Sequence, residues 1–372
     1  MLLLKKIFVI FNILFLMTVK TMEGQPAPAK EKLFSWDTLP SLPDTIGFAG
    51  SFAGVANDAL IVAGGSNFPG GGAPWNGATK QWYDKIFVLE KPTGKWKHAG
   101  KLPAPLGYGV SVSTQQGLLL IGGSNASGHS REVMLLHYRK GKIVIENFPS
   151  LPFVLANFCG ALVGNKIFIA GGLSTPSSTS TEKVFLSFDL DAKNRYWKLL
   201  PAWPGPSRML SVAGAYKDCF FLFSGTELKE GKRIYLKDAY SFSTKNGWQK
   251  LADLPFPVVA APSPAFFSGN KDLLVFGGDT GIDASNAGTL KERHPGFSNK
   301  ILKYQVKKDS WLQAGEIFTD KKKDFIENPN GSIWAPVTTS LVIWNEAIVL
   351  PGGEVRPATR TPVVLRARKT DD

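Results

Sequence analysis

The sequence predicts an all-β protein, a six-bladed β-propeller, and three observations carry that expectation. First, a short apolar run ends in a Gly-Gly or Ser-Gly pair six times, at Gly64-Gly65, Gly122-Gly123, Gly171-Gly172, Ser224-Gly225, Gly277-Gly278 and Gly352-Gly353. The pairs recur at intervals of roughly fifty residues, with a last gap of about seventy-five, in the range of propeller blades once insertions are allowed for. Second, the stretches around each pair follow one order, with four strand-like segments to a repeat. Third, a strand-like segment near the start belongs to no repeat, while the sixth repeat lacks its last strand.

Residues 1–24 differ in character from the rest of the chain. Lys5 and Lys6 precede a mostly apolar stretch from Ile7 to Val19, and a polar segment from Gly24 to Lys32 comes after it. That stretch falls short of the ~20 residues a spanning helix needs and reads as the core of a secretory signal peptide. The expected organisation is therefore a signal peptide over 1–24 and one propeller over 25–372. The mature protein is expected to be periplasmic or secreted, without stable membrane association after signal cleavage.

Next, Leu33-Phe-Ser-Trp36-Asp-Thr-Leu-Pro40 has the form of a last strand with nothing before it. Each repeat then runs through a small-residue strand, a strongly apolar strand ending at its pair, a strand of alternating apolar residues and a Trp-bearing strand. Lys166–Gly172, Lys183–Asp189 and Tyr196–Pro201 show the last three in sequence. Each pair marks a point where the backbone needs glycine's freedom to turn. Trp96, Trp197, Trp248 and Trp311 recur at the start of the last strand, where a large ring can seal a sheet against its neighbour; the second repeat has Phe148 instead. The sixth pair has no later Trp, so the opening segment around Trp36 is expected to complete the sixth blade and close the ring, removing exposed edges.

Composition narrows the function. The formal charge is +13, and loss of residues 1–24 would take Lys5, Lys6, Lys20 and Glu23 and leave the chain strongly basic, which favours anionic partners. The lysines are scattered through loops such as Lys321-Lys322-Lys323, so nucleic acid is not an expected partner. Cys159 and Cys219 occupy different registers relative to their pairs, and no disulfide is expected between them. Two cysteines and four scattered histidines (His98, His129, His137, His294) show no ligand spacing, so neither a metal nor another cofactor is expected. Gly70-Gly71-Gly72 has no following Gly-Lys-Ser/Thr and is not a phosphate loop.

The apolar strand, glycine pair and later aromatic resemble the Kelch repeat. Two stretches are closer to one family. Ile46–Gly65, with Gly107-Tyr-Gly-Val-Ser111 and Leu119-Leu-Ile-Gly-Gly123, resembles the closing third of the N-acetylneuraminate mutarotases, also called epimerases, and Gly353-Glu-Val-Arg-Pro-Ala-Thr-Arg-Thr361 resembles their middle. The order is rotated, so the chain resembles the cyclically permuted mutarotase branch over nearly all of residues 33–369. The resemblance implies an isomerase that interconverts the α and β anomers of sialic acid by acid–base ring opening, with Glu354 as the acid–base group and Arg360 as the functional arginine.

In a propeller, the loop after each pair and the loop entering each innermost strand open on one end of the ring. The first set offers Asn67, Asn125, Ser174, Glu227, Asp279 and Glu354, the second Tyr108, Asn157, Arg208, Pro262 and Trp334. A funnel with few carboxylates, several arginines and aromatics suits an acidic sugar, since rings stack on sugar faces and guanidinium forks onto a carboxylate. Glu354 and Arg360 are the expected catalytic pair, with Arg208, Tyr108, Asn67 and Arg356 as substrate-binding residues and Arg233 in reserve. The loop from Asn67 to Asp84, with Trp75 and Trp82, departs from the family's lysine- and glutamate-rich insertion and could be a lid. A non-catalytic carbohydrate- or protein-binding propeller is the alternative, and both a monomer and a homodimer are compatible with the ring. A copper oxidase of the galactose-oxidase type would need paired Tyr and His ligands and a Tyr-linked Cys that this chain does not show.

Overall fold

The computed structural model describes residues 33–322 and 331–370. The expected signal peptide over residues 1–24 lies outside the described residues. From Phe34 onward the described residues build six four-stranded antiparallel sheets. The first blade runs from its innermost strand, Phe52–Ala56, through Ala59–Ala63 and Lys85–Leu89 to Lys97–Lys101 at the rim. The second to fifth blades repeat that order, beginning at Val110–Ser113, Cys159–Val163, Val212–Tyr216 and Phe266–Phe267. Small residues recur in the inner strands of the first four blades, where neighbouring blades crowd: a Cβ on Gly54 would lie 2.3 Å from a Leu118 methyl group.

The sixth blade confirms the expected closure. Its strands Val342–Trp344, Ala347–Pro351 and Val364–Lys369 are completed at the rim by Phe34–Leu39, which pairs antiparallel with Val364–Lys369 and sets Trp36 opposite Ala367. Arg366 clasps Asp37 across this seam, with Nε 2.7 Å from Oδ1. That hydrogen bond leads the effects that hold the Asp37 carboxyl below its usual range.

Apolar side chains on facing sheets form shared clusters between blades. Leu119, Ile121, Val133 and Leu135 of the second blade meet Ile167, Ile169, Leu186 and Phe188 of the third, all buried. Each such side chain contributes about 1.5–3 kcal/mol when removed from water. The recurrent tryptophans add a directed bond to this packing. Indole N–H groups of Trp96, Trp197, Trp248 and Trp311 donate to the carbonyls of Pro40, Pro149, Pro201 and Ala252, in each case where the preceding blade's rim strand ends.

The glycine pairs sit where one blade's backbone touches the next. Gly65 N–H donates to Leu106 O at 2.8 Å, and Gly353 N–H to Phe48 O at 2.9 Å. Gly64 has φ +65°, and a Cβ there would fall 2.1 Å from Leu106 O, so both conformation and space call for glycine. In the fourth blade Ser224 substitutes for the first glycine: its hydroxyl accepts from Val258 N–H at 2.8 Å and donates to Leu236 O at 2.8 Å.

A closed belt of six backbone hydrogen bonds encircles the axis just before the innermost strands. Gly50 N–H donates to Thr338 O (2.8 Å), Tyr108 to Gly50 (2.7 Å), Asn157 to Tyr108 (2.8 Å), Leu210 to Asn157 (2.8 Å), Ala260 to Leu210 (2.8 Å) and Thr338 to Ala260 (2.7 Å). All six residues are left-handed, with φ between +51° and +68°. For the five that are not glycine this conformation costs of the order of 1–2 kcal/mol each, which the belt and the packing around it must offset.

Candidate active site

The belt divides two spaces on the axis. On one side lies a narrow channel of about 90 Å³ lined by the inner strands, with Ser51, Ser111, Ser211, Ser263 and Ser340 among its walls. On the other lies an open cavity of about 940 Å³, toward the upper end of the ~300–1,000 Å³ usual for ligand sites. Its walls include Glu354, Arg360, Tyr108, Asp279, His294, Tyr235, Lys80, Lys232, Arg233, Phe68 and Trp75. Four basic side chains, Lys80, Lys232, Arg233 and Arg360, thus face two carboxylates, Asp279 and Glu354.

Glu354 and Arg360 meet because a short hairpin joins them. Glu354–Arg356 pairs with Thr359–Arg360, and the register sets Glu354 directly opposite Arg360. Glu354 Oε1 accepts the Ala358 N–H at 2.8 Å and lies 3.4 Å from Arg360 Nη1, with the carboxylate 19% exposed to the cavity. Arg360 is 3% exposed, with its guanidinium 4.8 Å above the Phe68 ring, and its Nε and Nη1 make no hydrogen bond. Burial opposes its charge, but the Glu354 carboxylate and the Tyr108 hydroxyl outweigh that and raise its pKa above the ordinary value. The result is a fixed cation with donors to spare beside a carboxylate.

Tyr108 completes this corner. As a belt residue it has its ring at the mouth, edge-on to Trp82 at 5.5 Å and under the Lys80 ammonium at 4.8 Å, while its hydroxyl accepts from Ser66 Oγ at 3.4 Å. Three of the other expected residues lie elsewhere.

Asn67 is fully buried outside the cavity, where its Nδ2 donates to Gly47 O at 2.9 Å and its Oδ1 accepts from Tyr83 at 2.8 Å. The correction is one of register. Bridges pair Ala49 with Ser66, Gly107 with Ser124, Ala156 with Leu173, Met209 with Thr226, Val259 with Asp279 and Val337 with Glu354. Ser66 is therefore the equivalent of Glu354, and Asn67 is one residue further along an extended segment, where side chains alternate.

Arg208 is not at the cavity either. It is fully buried and forks onto Asp238, with Nη1 2.9 Å from Oδ1 and Nη2 2.7 Å from Oδ2, between the rings of Trp203 and Tyr240 at 5.3 Å each. Leu210 takes the belt position in this blade, as Ala260 and Thr338 do where Pro262 and Trp334 were expected. Arg356 is turned away by the register shift between Glu354 and Arg356, a bulge that re-aims its side chain. It stacks 5.2 Å from Trp334 and donates to the Glu292 carbonyl.

Further wall residues are on insertions: Arg233 is the reserve residue expected from the sequence, while Tyr235, Lys232 and His294 were missed as site residues. Tyr235, Lys232 and Arg233 lie on a hairpin of Thr226–Lys229 and Lys232–Tyr235 between strands of the fourth blade. Tyr235 donates to Asp279 Oδ2 at 2.9 Å, and burial with that carboxylate pushes its pKa up to about 12. His294 ends a short helical segment in the fifth blade's insertion. Its Nδ1 accepts the Gly296 N–H at 3.1 Å. Burial holds its pKa below the ordinary value against the carboxylates of Asp283 and Asp279. The long interval before the last glycine pair was the available signal for that insertion.

The Asn67–Asp84 loop of the first blade reaches the same insertion. Trp75 Nε1 and Asn76 Nδ2 donate to Glu292 Oε1 at 2.6 and 3.2 Å, a strap between the first and fifth blades. Among the described residues no group of three or more His, Cys, Asp or Glu side chains is placed to hold a metal ion. Cys159 is buried and Cys219 partly so, both as free thiols.

The fold and this cavity together define a closed six-bladed propeller with a charged funnel at one end of its axis. Comparison with known proteins makes the assignment narrower. The chain belongs to the N-acetylneuraminate epimerase family, whose model matches residues 6–145 and 148–370. Among curated relatives, an N-acetylneuraminate epimerase of Yersinia pestis (strain Pestoides F) is 39% identical over 109 residues, 27% of this chain and 27% of the relative. One from Haemophilus influenzae (strain PittEE) is 33% identical over 142 residues, 34% of this chain and 37% of the relative. The aligned segments thus span about a quarter to a third of those relatives' length. The solved structure of YjhT shares the fold, with a TM-score of 0.61 at 16% identity over 89% of this chain and 96% of that one.

Proposed function

We propose that this protein interconverts the anomers of N-acetylneuraminate or a closely related 2-keto sugar acid by acid–base ring opening. The observation that carries the reading is the Glu354–Arg360 corner: a carboxylate 3.4 Å from a buried guanidinium whose Nε and Nη1 lack hydrogen bonds. In such a sugar the carboxylate is attached to the anomeric carbon itself. A cation that holds it therefore delivers the anomeric hydroxyl to whatever base stands beside the cation, and here that base is Glu354.

Glu354 takes the proton of the anomeric hydroxyl, the carbonyl forms, and the bond from the anomeric carbon to the ring oxygen breaks. The ring oxygen receives a proton, rotation exposes the other carbonyl face, and the same steps in reverse close the ring. A positioned acid–base group of this type contributes about 10²–10⁴-fold. Arg360 stands 3.4 Å from Glu354 as a buried cation beside the carboxylate. The surplus of Lys80, Lys232 and Arg233 around the mouth favours entry of an anion. Cleavage of the amino-terminal segment as an export signal belongs to the same reading and places the reaction outside the cytoplasm.

Proton NMR of freshly released α-anomer tests it. Equilibration is expected to be faster with the protein than in buffer alone, and Glu354→Gln is expected to lose most of the gain while retaining the fold. Equal rates with and without the wild-type protein, together with saturable sugar binding, would instead favour a non-catalytic lectin-like propeller.

A further inference from the structure

Ring opening makes a second demand that Glu354 alone does not meet. As the bond from the anomeric carbon breaks, its electron pair moves onto the ring oxygen, and that oxygen carries alkoxide character until a proton arrives. A donor fixed at that position lowers the barrier, because its dipole is oriented before the charge develops.

We propose that His294, as a neutral imidazole, donates its Nε2–H to the ring oxygen and is a catalytic residue of this site. The inference rests on the proposed anomerase reading and on three observations. His294 is a wall of the same cavity as Glu354 and Arg360. Its Nδ1 is occupied as an acceptor, 3.1 Å from the Gly296 N–H. A backbone amide can only donate, so Nδ1 carries no proton and the neutral ring must hold its proton on Nε2. Finally, the residue is 5% exposed and its ring packs 5.7 Å from Phe297.

The surroundings keep the ring neutral at physiological pH. Burial leads in lowering its pKa; Arg356 adds to this, while Asp283, Asp279 and Glu354 oppose it without prevailing. Protonation would also place a second N–H against the Gly296 amide. A neutral imidazole is a weak acid and does not need to surrender its proton. In the balanced step, Glu354 removes the hydroxyl proton as the ring bond breaks, and the ring oxygen, held by Nε2–H, takes that proton back from the Glu354 carboxylic acid. Only the sugar and Glu354 change their proton count, and His294 keeps its proton throughout.

The test is the anomerisation rate of His294→Leu and His294→Gln beside the wild type. His294→Leu is expected to lower kcat by about 10²–10³-fold, the usual loss for one such donor, with little change in KM. His294→Gln, whose amide nitrogen can present an N–H near the same place, is expected to recover much of that loss. Nitrogen NMR of the wild-type imidazole should report the neutral Nε2–H form at pH 7. A His294→Leu rate equal to wild type, or an imidazolium signal at pH 7, overturns the proposal. Failure of the wild type to accelerate anomerisation overturns the underlying reading instead, and the two results are distinguishable.

Discussion

At the scale of single residues, Glu354 was legible as the residue after the sixth glycine pair and Arg360 through the family resemblance, and the proposed pair does meet in the structure. Glu354 and Arg360 are six apart, and a tight hairpin with one bulge turns that separation into a cross-strand pair. Asn67 and Arg208 were misplaced for a different reason. Ser66, next to Asn67, contacts Tyr108, and a one-residue offset in extended backbone reverses a side chain's direction; Arg208 instead lies two residues before the belt position at Leu210 and turns onto Asp238. Composition could not resolve that offset, since a buried Arg and a site Arg look alike in sequence.

The true role of Arg208 leads to a stability expectation. Replacing it with Met leaves Asp238 buried without its partner, and a loss of about 3–5 kcal/mol is expected from denaturant unfolding, while anomerisation by the folded fraction is unchanged. Burial works against the Asp238 charge, but the Arg208 fork outweighs it and holds the folded pKa below the ordinary value. A depressed carboxylate stabilises the fold fully above its unfolded pKa of about 3.9 and loses that contribution as pH falls through the folded value. The gap between wild type and Arg208→Met is therefore expected to narrow below about pH 4, which unfolding curves across pH 3–6 would show.

At the scale of elements, the strands were legible and the insertions were not. Apolar runs ending in glycine pairs and a Trp on the rim strand report packing that every blade needs. The hairpin carrying Tyr235 and the helical segment ending at His294 satisfy no such repeated demand, so no period announces them. They nevertheless shape the cavity, and the strap from Trp75 to Glu292 ties the first blade's loop to the second of them. Trp75→Phe removes the indole donor while keeping an aromatic wall. We expect KM to rise severalfold with kcat nearly unchanged, and the segment around residues 68–80 to become more sensitive to limited proteolysis. Unchanged KM and unchanged cleavage would show that the strap does not organise the mouth.

At the scale of the whole molecule, the ring was legible from one unpaired strand at the start and one unfilled place at the end, a match that the pairing of Phe34–Leu39 with Val364–Lys369 bears out. The belt was not legible, because five of its six members are not glycine and nothing in Tyr108, Asn157, Leu210, Ala260 or Thr338 signals a shared left-handed backbone. Each link joins neighbouring blades, so no link opens without disturbing the ring. Amide exchange at these six positions is expected to be slow and similar, tracking global unfolding rather than local fraying. Widely scattered rates would show that blades open one at a time.

The seam in the sixth blade also sets a timetable for a nascent chain. Phe34–Leu39 leaves the ribosome early and must wait, unpaired, until Val364–Lys369 emerges some three hundred residues later. Contacts this distant along the chain form slowly. The blade that carries Glu354 thus closes only once the chain's oldest strand has met one of its youngest.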